Sequence, residues 1–281
     1  MLRDQTIGLL DRFGLTAEAA LDEQQLIDPA TIDILIEASG IKPTDTVMEI
    51  GPGAGNITTG LAGRASKVIA VEKNQKFIPL LKERFSGVVN VEVVLGDALT
   101  IYLPAFDVLV SNPPYAITEA LIHRLERFKF RAASLVVPST LVKTLMANRG
   151  ELGYTKLSLE TRLFYEVEVV FEVKSEAYHP EPKTATSIVV FRPKVEPRPF
   201  EAVMRAVLRQ GDKKMGNALR EAMIAASSMG YPSTKRGAKE VVDELSLSEA
   251  ILEERVARLS LGDVSLVYEK LESRPTKPST T

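Results

Sequence analysis

Thr46-Val47-Met48-Glu49-Ile50-Gly51-Pro52-Gly53-Ala54-Gly55 is the stretch whose reading decides the fold. A short β-prone run is followed at once by three closely spaced glycines, and then by a helical pattern. Glycine lets the backbone turn sharply and approach a ligand closely. Alone this is a weak signal, because ordinary tight turns also select glycine. The residues downstream give it context. Lys67-Val68-Ile69-Ala70-Val71-Glu72 reads as a second buried strand ending in an acid. That acid falls about 20 residues beyond the turn, the separation at which a carboxylate meets ribose hydroxyls in dinucleotide-type folds. Val91 to Leu95 reads as a third strand, closed by Gly96-Asp97-Ala98. Asp107 to Ser111 reads as a fourth, closed by Asn112-Pro113-Pro114-Tyr115, and Ala133 to Val137 as a fifth. Helical patterns over Gln75 to Phe85 and Thr118 to Phe128 lie between them. Such alternation implies right-handed crossovers and a mostly parallel, twisted sheet. Every motif stands where a strand ends, the edge at which open α/β sheets bind ligands.

Outward from this block the pattern changes. On the N-terminal side, Ile7, Leu10 and Phe13 suggest an amphipathic helix or arm. Asp28 and Pro29 suit the cap and first position of a helix running to Ser39, with Gly40 as its stop. Beyond Gly150, Leu157 to Val170 and Ser187 to Arg192 read as the last two strands of the sheet, paired antiparallel. The loop Tyr178-His179-Pro180-Glu181-Pro182-Lys183 separates them. Pro193 to Pro199 reads as a linker. Phe200 to Glu272 is helical in pattern, broken at Gly230-Tyr231-Pro232. The expected organisation is a domain over 1–195 with its N-terminal arm, a helical domain over 196–273, and a disordered polar tail over 274–281.

Composition excludes several chemistries. The 281 residues contain no cysteine and two histidines, His123 and His179. Disulfides, thiolate metal sites and cysteine nucleophiles are therefore absent, a histidine-rich metal centre is not expected, and a reducing cytoplasmic setting is the default. No apolar run approaches the ~20 residues of a membrane-spanning helix. Asp4, Asp11 and Glu18 make the N-terminal stretch unlike the acid-poor leaders of secreted or organellar proteins. The formal net charge is −2, which counts mildly against a nucleic-acid partner unless cations cluster locally. Such a cluster exists: Arg205, Arg209, Lys213, Lys214, Arg220, Lys235 and Arg236 fall in one segment. A solvated face and a phosphate-binding stripe both fit it.

The chemistry lies in the acids and in Asn112-Pro113-Pro114-Tyr115. Glu49 directly before the glycines suits a positively charged ligand. An amine conjugated to a ring is a poor nucleophile, because its lone pair is delocalised. Methylating it calls for acceptors that hold the N–H groups and turn the lone pair outward. The Asn112 side-chain oxygen and the Pro113 carbonyl fit that need. Tyr115 offers a flat face for an extruded base.

Gly51-Pro52-Gly53-Ala54-Gly55 resembles the first motif of S-adenosylmethionine-dependent methyltransferases. From about Leu26 to Leu219 the chain resembles the ribosomal RNA adenine N6,N6-dimethyltransferases of the kasugamycin-resistance type. The resemblance rests on residues 49–58, Ala70-Val71-Glu72, Gly96-Asp97-Ala98, Asn112-Pro113-Pro114-Tyr115-Ala116-Ile117, 153–158, 179–183 and 213–219. It implies a Rossmann-like α/β sheet, mostly parallel with an antiparallel last strand, and a small C-terminal helical domain. It implies S-adenosylmethionine held by Gln24, Leu26, Glu49, Gly51, Gly53, Gly55, Glu72 (ribose), Asp97 (adenine amine), Ala98 and Asn112. Asn112, Pro113 and Tyr115 would be catalytic. The substrate would be two adjacent adenines of small-subunit rRNA in a pre-ribosomal particle, the enzyme a monomer without metal or membrane. The chain also departs from the family. Pro113 stands where Leu or Ile is usual, as in DNA adenine and release-factor glutamine methyltransferases, and no aromatic lies between Gln24 and Leu26. Another amine substrate, or a non-catalytic assembly factor, therefore stays open from sequence.

Overall fold

The computed structural model describes residues 1–16 and 24–274. The polar tail expected at 274–281 falls outside the described residues from 275 on. The strands are β1 (Gln25–Leu26), β2 (Thr46–Ile50), β3 (Lys67–Glu72), β4 (Val91–Leu95), β5 (Val108–Ser111), β6 (Ala132–Pro138), β7 (Tyr165–Val173), β8 (Tyr178–His179) and β9 (Thr186–Pro193). The chain forms two compact units.

The first unit, residues 1–146 and 166–193, is the α/β body. Its seven-stranded sheet has the order β4-β3-β2-β5-β6-β9-β7. β2 pairs in parallel with β3 and β5, β3 with β4, and β5 with β6, while β9 runs antiparallel to β6. The central strands are buried almost throughout, as strands covered on both faces should be. The chain passes β2, β3 and β4 to one side, then returns to place β5 on the other side of β2. The strand order reverses between β2 and β5, and ligand crevices in open sheets lie at such a reversal. Helix Pro29–Ala38 forms as expected, with the Asp28 carboxylate accepting the Thr31 N–H at 2.9 Å. Its Ile32, Leu35 and Ile36 join Val47, Val68, Val108, Val136 and Ile188 in one core. Helix Leu2–Arg12 inserts Leu10 into a second cluster with Ala54, Phe77, Leu80, Leu81 and Phe85. The two-stranded sheet of β1 and β8 was not expected. It is too short for any periodicity to reveal.

The second unit, residues 147–165 and 194–281, is helical over its described part. Its main helices are Lys156–Phe164, Pro199–Leu208, Met215–Ala225, Lys235–Glu244 and Leu261–Glu272. Two sequence expectations are corrected here. Leu157 to Val170 is not one strand: residues 156–164 are a helix, and strand begins only at Tyr165. Thr155 and Ser158 form a reciprocal cap, and Leu157–Thr161 and Leu159–Leu163 are buried pairs one helical turn apart. This segment also belongs to the helical unit, so a single division at 195/196 does not describe the compact units.

Candidate active site

Because β2 and β5 are neighbours, with Val47 opposite Val108 and Met48 opposite Leu109, the turns that follow them stand side by side. The Ser111 hydroxyl donates to the Ile50 carbonyl across this junction. Gly51 has φ +69°, and a Cβ there would stand 3.1 Å from Pro114 Cδ. Gly53 has φ +53°, also in the left-handed region. Glycine is needed at both for conformation, and at Gly51 also for proximity to the second motif.

Between the two turns lies a cavity of about 440 Å³. Eight expected cofactor residues line it: Gln24, Leu26, Gly51, Gly53, Glu72, Asp97, Ala98 and Asn112. Glu72 ends β3. Its Oε2 accepts the Gly53 N–H at 3.2 Å and its Oε1 the Asn74 N–H at 2.7 Å. Asp97 follows β4. Its Oδ2 pairs with Lys73 at 2.9 Å and its Oδ1 accepts the Leu99 N–H at 2.9 Å. The hydrogen bond from Lys73, then that from Leu99, holds this carboxyl below its usual range. Lys73 is well exposed and Asp97 only partly so, so solvent screens the pair from the lysine side.

Two expected residues are placed elsewhere. Glu49 is fully buried and does not line the cavity. Its Oε2 accepts from Thr58 Oγ1 at 2.6 Å, and its Oε1 has no hydrogen-bond partner. Burial pushes its pKa up to about 8, nearby Glu72 adds to the rise, and Thr58 and Arg84 oppose it. Gly55 begins helix Asn56–Ala62 at φ +85°, and a Cβ there would meet the Phe85 ring at 2.8 Å. It serves packing behind the turn.

Asn112 is held in one orientation. Its Nδ2 donates to the Gln24 carbonyl at 3.0 Å, while its buried Oδ1 has no partner. An unpaired buried acceptor is costly, and this one belongs to a residue lining the cavity. Pro113 is buried and Tyr115 half-buried, and neither lines the cavity. Tyr115 instead neighbours Tyr178, whose hydroxyl lies 2.7 Å from Thr186 Oγ1. Burial, with Tyr115 adding to it, raises the Tyr178 pKa. The residue the sequence reading missed is Gln25, whose Oε1 accepts the Ala54 N–H at 2.8 Å and which lines the cavity. The available signal was its position between Gln24 and Leu26.

In the helical unit the basic stripe is largely paired. Lys213 meets Glu221, Lys214 meets Glu253, Arg236 meets Glu240, and Arg220 donates to Asn217. Lys235 is exposed at the start of its helix. Arg205 differs from all of these. It is half-buried and donates to the Leu163 and Lys194 carbonyls at 2.6 and 3.1 Å. Arg205 and Arg209 both lie over the Phe164 ring. Arg205 is thus a brace within this unit.

A mostly parallel seven-stranded sheet, a glycine turn at its switch point and acids ending the next two strands define a Rossmann-like methyltransferase that uses S-adenosylmethionine. The cavity volume suits a small-molecule cofactor. The glycine backbone, the two carboxylates and the unpaired Asn112 acceptor fit one bearing ribose, adenine and a cationic centre. Residues 15–251 match the model of the ribosomal RNA adenine dimethylase family. The chain is 31% identical to the "Probable ribosomal RNA small subunit methyltransferase A" of Methanosarcina acetivorans over 95% of this chain and 98% of that one. It is 31% identical to the protein of the same name from Thermococcus kodakarensis, over 99% and 100%. Among solved structures, a dimethyladenosine transferase from Plasmodium falciparum aligns with TM-score 0.58 and 26% identity, covering 87% of this chain and 97% of that one. The 23S rRNA methyltransferase ErmE, at TM-score 0.58 and 24% identity over 88% and 99%, shares the fold. The chain belongs to the ribosomal RNA adenine dimethylase family, and it is an S-adenosylmethionine-dependent rRNA adenine methyltransferase.

Proposed function

We propose that the chain converts two adjacent adenines of small-subunit rRNA to N6,N6-dimethyladenine during ribosome assembly in the cytoplasm. The observation that carries this reading is the Asn112 amide, with its nitrogen spent on the Gln24 carbonyl and its buried oxygen unpaired beside the cavity. The small-subunit target is supported by the names of the relatives from Methanosarcina acetivorans and Thermococcus kodakarensis. Two methyls per adenine are supported by the family's description.

In this reading Glu72 takes the ribose hydroxyls. Asp97 exchanges Lys73 for the adenine amine of the cofactor, and Gly51 and Gly53 admit the donor chain at close range. When bound, S-adenosylmethionine supplies an electrophilic methyl on a sulfonium. Asn112 Oδ1 and the Pro113 carbonyl accept the two N–H groups of the target amine. Their pull turns the nitrogen lone pair out of conjugation and toward the methyl. The donor would supply that methyl to the nitrogen held by Asn112 and Pro113 and would itself leave as a neutral thioether, while the amine proton passes to solvent. No strong base is needed, and positioning carries most of the rate. A monomethylated amine keeps one N–H, which Asn112 still holds for the second transfer. Tyr115 gives the extruded base a stacking face. Arg209, Lys213, Lys214, Arg220, Lys235 and Arg236 contact RNA phosphates.

The test uses undermethylated small ribosomal subunits, the donor and purified protein, with nucleosides read by mass spectrometry. N6,N6-dimethyladenosine is expected. Asn112→Ala should reduce it by roughly 10²–10³-fold, as for loss of one preorganised polar group. Unmodified adenosine only, or monomethyladenosine only, would refute this reading.

A further inference from the structure

Two consecutive N–H groups of the glycine turn are received by side-chain oxygens from two separate elements. Gly53 donates to Glu72 at the end of β3, and Ala54 donates to Gln25 on β1. Gln25 is 8% exposed. Its amide packs so tightly that a Cβ on Gly53 would stand 2.4 Å from Oε1. The residues on either side hold two more parts of the site. The Gln24 carbonyl receives Asn112 Nδ2, and the Leu26 carbonyl receives Asn56 Nδ2 at 2.9 Å. β1 is itself fixed by pairing Gln25 with His179 and Leu26 with Tyr178, and by the Ile27 N–H to the Ala177 carbonyl at 2.8 Å.

We propose that Gln25 is a positioning residue for the methyl donor, its amide oxygen bracing the glycine turn in the shape that receives the cofactor. This rests on reading that turn as the donor's cradle. A turn containing several left-handed glycines has many alternative conformations. A donor that finds the competent shape only part of the time binds more weakly by that fraction. Glu72 fixes one N–H of the turn and Gln25 the next, so the pair removes alternatives that either alone would leave. Ala54 is fully buried, so without Gln25 its N–H is stranded. Gln25 acts on the turn that receives the donor, away from the bonds that change. Its loss therefore falls on donor affinity and leaves the chemical step.

Gln25→Leu keeps the volume and removes the acceptor. The KM for the donor should rise roughly 5- to 100-fold, the range for stranding one buried N–H. At saturating donor kcat should stay within about twofold, and the KM for RNA should not move. Gln25→Glu restores an acceptor at the same reach and should recover most of the donor affinity. Amide hydrogen exchange without donor should be slow at Ala54 in the wild type and faster in Gln25→Leu. If Gln25→Leu fails to fold, Gln25→Asn, one methylene short of Ala54, carries the same expectation. Wild-type donor affinity in Gln25→Leu, or a lower kcat with unchanged donor KM, would overturn the proposal. Wild-type protein that bound no donor would instead remove the cradle reading, and the proposal with it.

Discussion

Glu49 shows how one residue can be read correctly for its place and wrongly for its partner. An acid before the glycines suggests direct attraction for a cationic ligand, yet the side chain is buried beneath the turn and hydrogen-bonded to Thr58. Its raised pKa has a consequence for stability. Folding holds a proton on this carboxyl from the ordinary value of 4.5 up to about 8. Stability from this group is therefore whole below pH 4.5 and is lost as pH rises through about 8. Glu49→Gln mimics the neutral form at every pH. In thermal denaturation without cofactor it should match the wild type near pH 5 and melt several degrees higher near pH 9. Parallel curves for the two proteins across that range would mean that Glu49 is ionised in the folded state. Asn112 is the opposite case. The sequence places it in the second motif, but only the structure reveals that the Gln24 carbonyl takes its amide nitrogen and leaves its buried oxygen unpaired beside the cavity.

Elements were legible where a local signal agreed with burial. Asp28-Pro29 announced a helix, and the Asp28 carboxylate accepts both the N–H and the hydroxyl of Thr31. Asp28→Ala should cost about 1 kcal/mol in urea denaturation, the usual value of such a cap, while Asp28→Asn should keep most of it. A loss below a few tenths of a kcal/mol would mean that Pro29 and packing set the helix start by themselves. The strands β2, β3, β5 and β6 were legible because covered parallel strands are continuous apolar runs. Residues 157–170 misled for a related reason. Apolar residues buried on two sides of a short helix look like a buried strand, and periodicity alone does not separate them. The cap at Thr155 and Ser158 was the overlooked cue. β1 was not legible at all. Two residues have no period, and their pairing with β8 depends on a segment about 150 positions away. Gln25, an acceptor lining the same cavity, therefore escaped, whereas the family resemblance named Gln24 and Leu26 on either side.

Across the whole molecule, charge is the feature that composition described least well. A net charge of −2 conceals cations on the helical unit whose carboxylate partners are themselves exposed, such as Lys213 with Glu221 and Lys214 with Glu253. Exposed pairs of this kind are worth little, so under the proposed function RNA phosphates would compete for the ammonium groups at small cost. Arg205, although in the same stripe, is committed to backbone carbonyls and the Phe164 ring. The two kinds of cation should separate in a salt titration of RNA binding. Removing both lysines (Lys213→Ala with Lys214→Ala) should reduce the slope of log K against log salt by about 1.5, two phosphate contacts' worth. Melting temperature should stay unchanged, because each lost ion pair is exposed. Arg205→Ala should do the reverse, lowering the melting temperature through stranded carbonyls while the salt slope holds. If the lysine variant kept the wild-type slope, the stripe would be a solvated surface, and the RNA phosphates would have to be met by cations elsewhere on the chain.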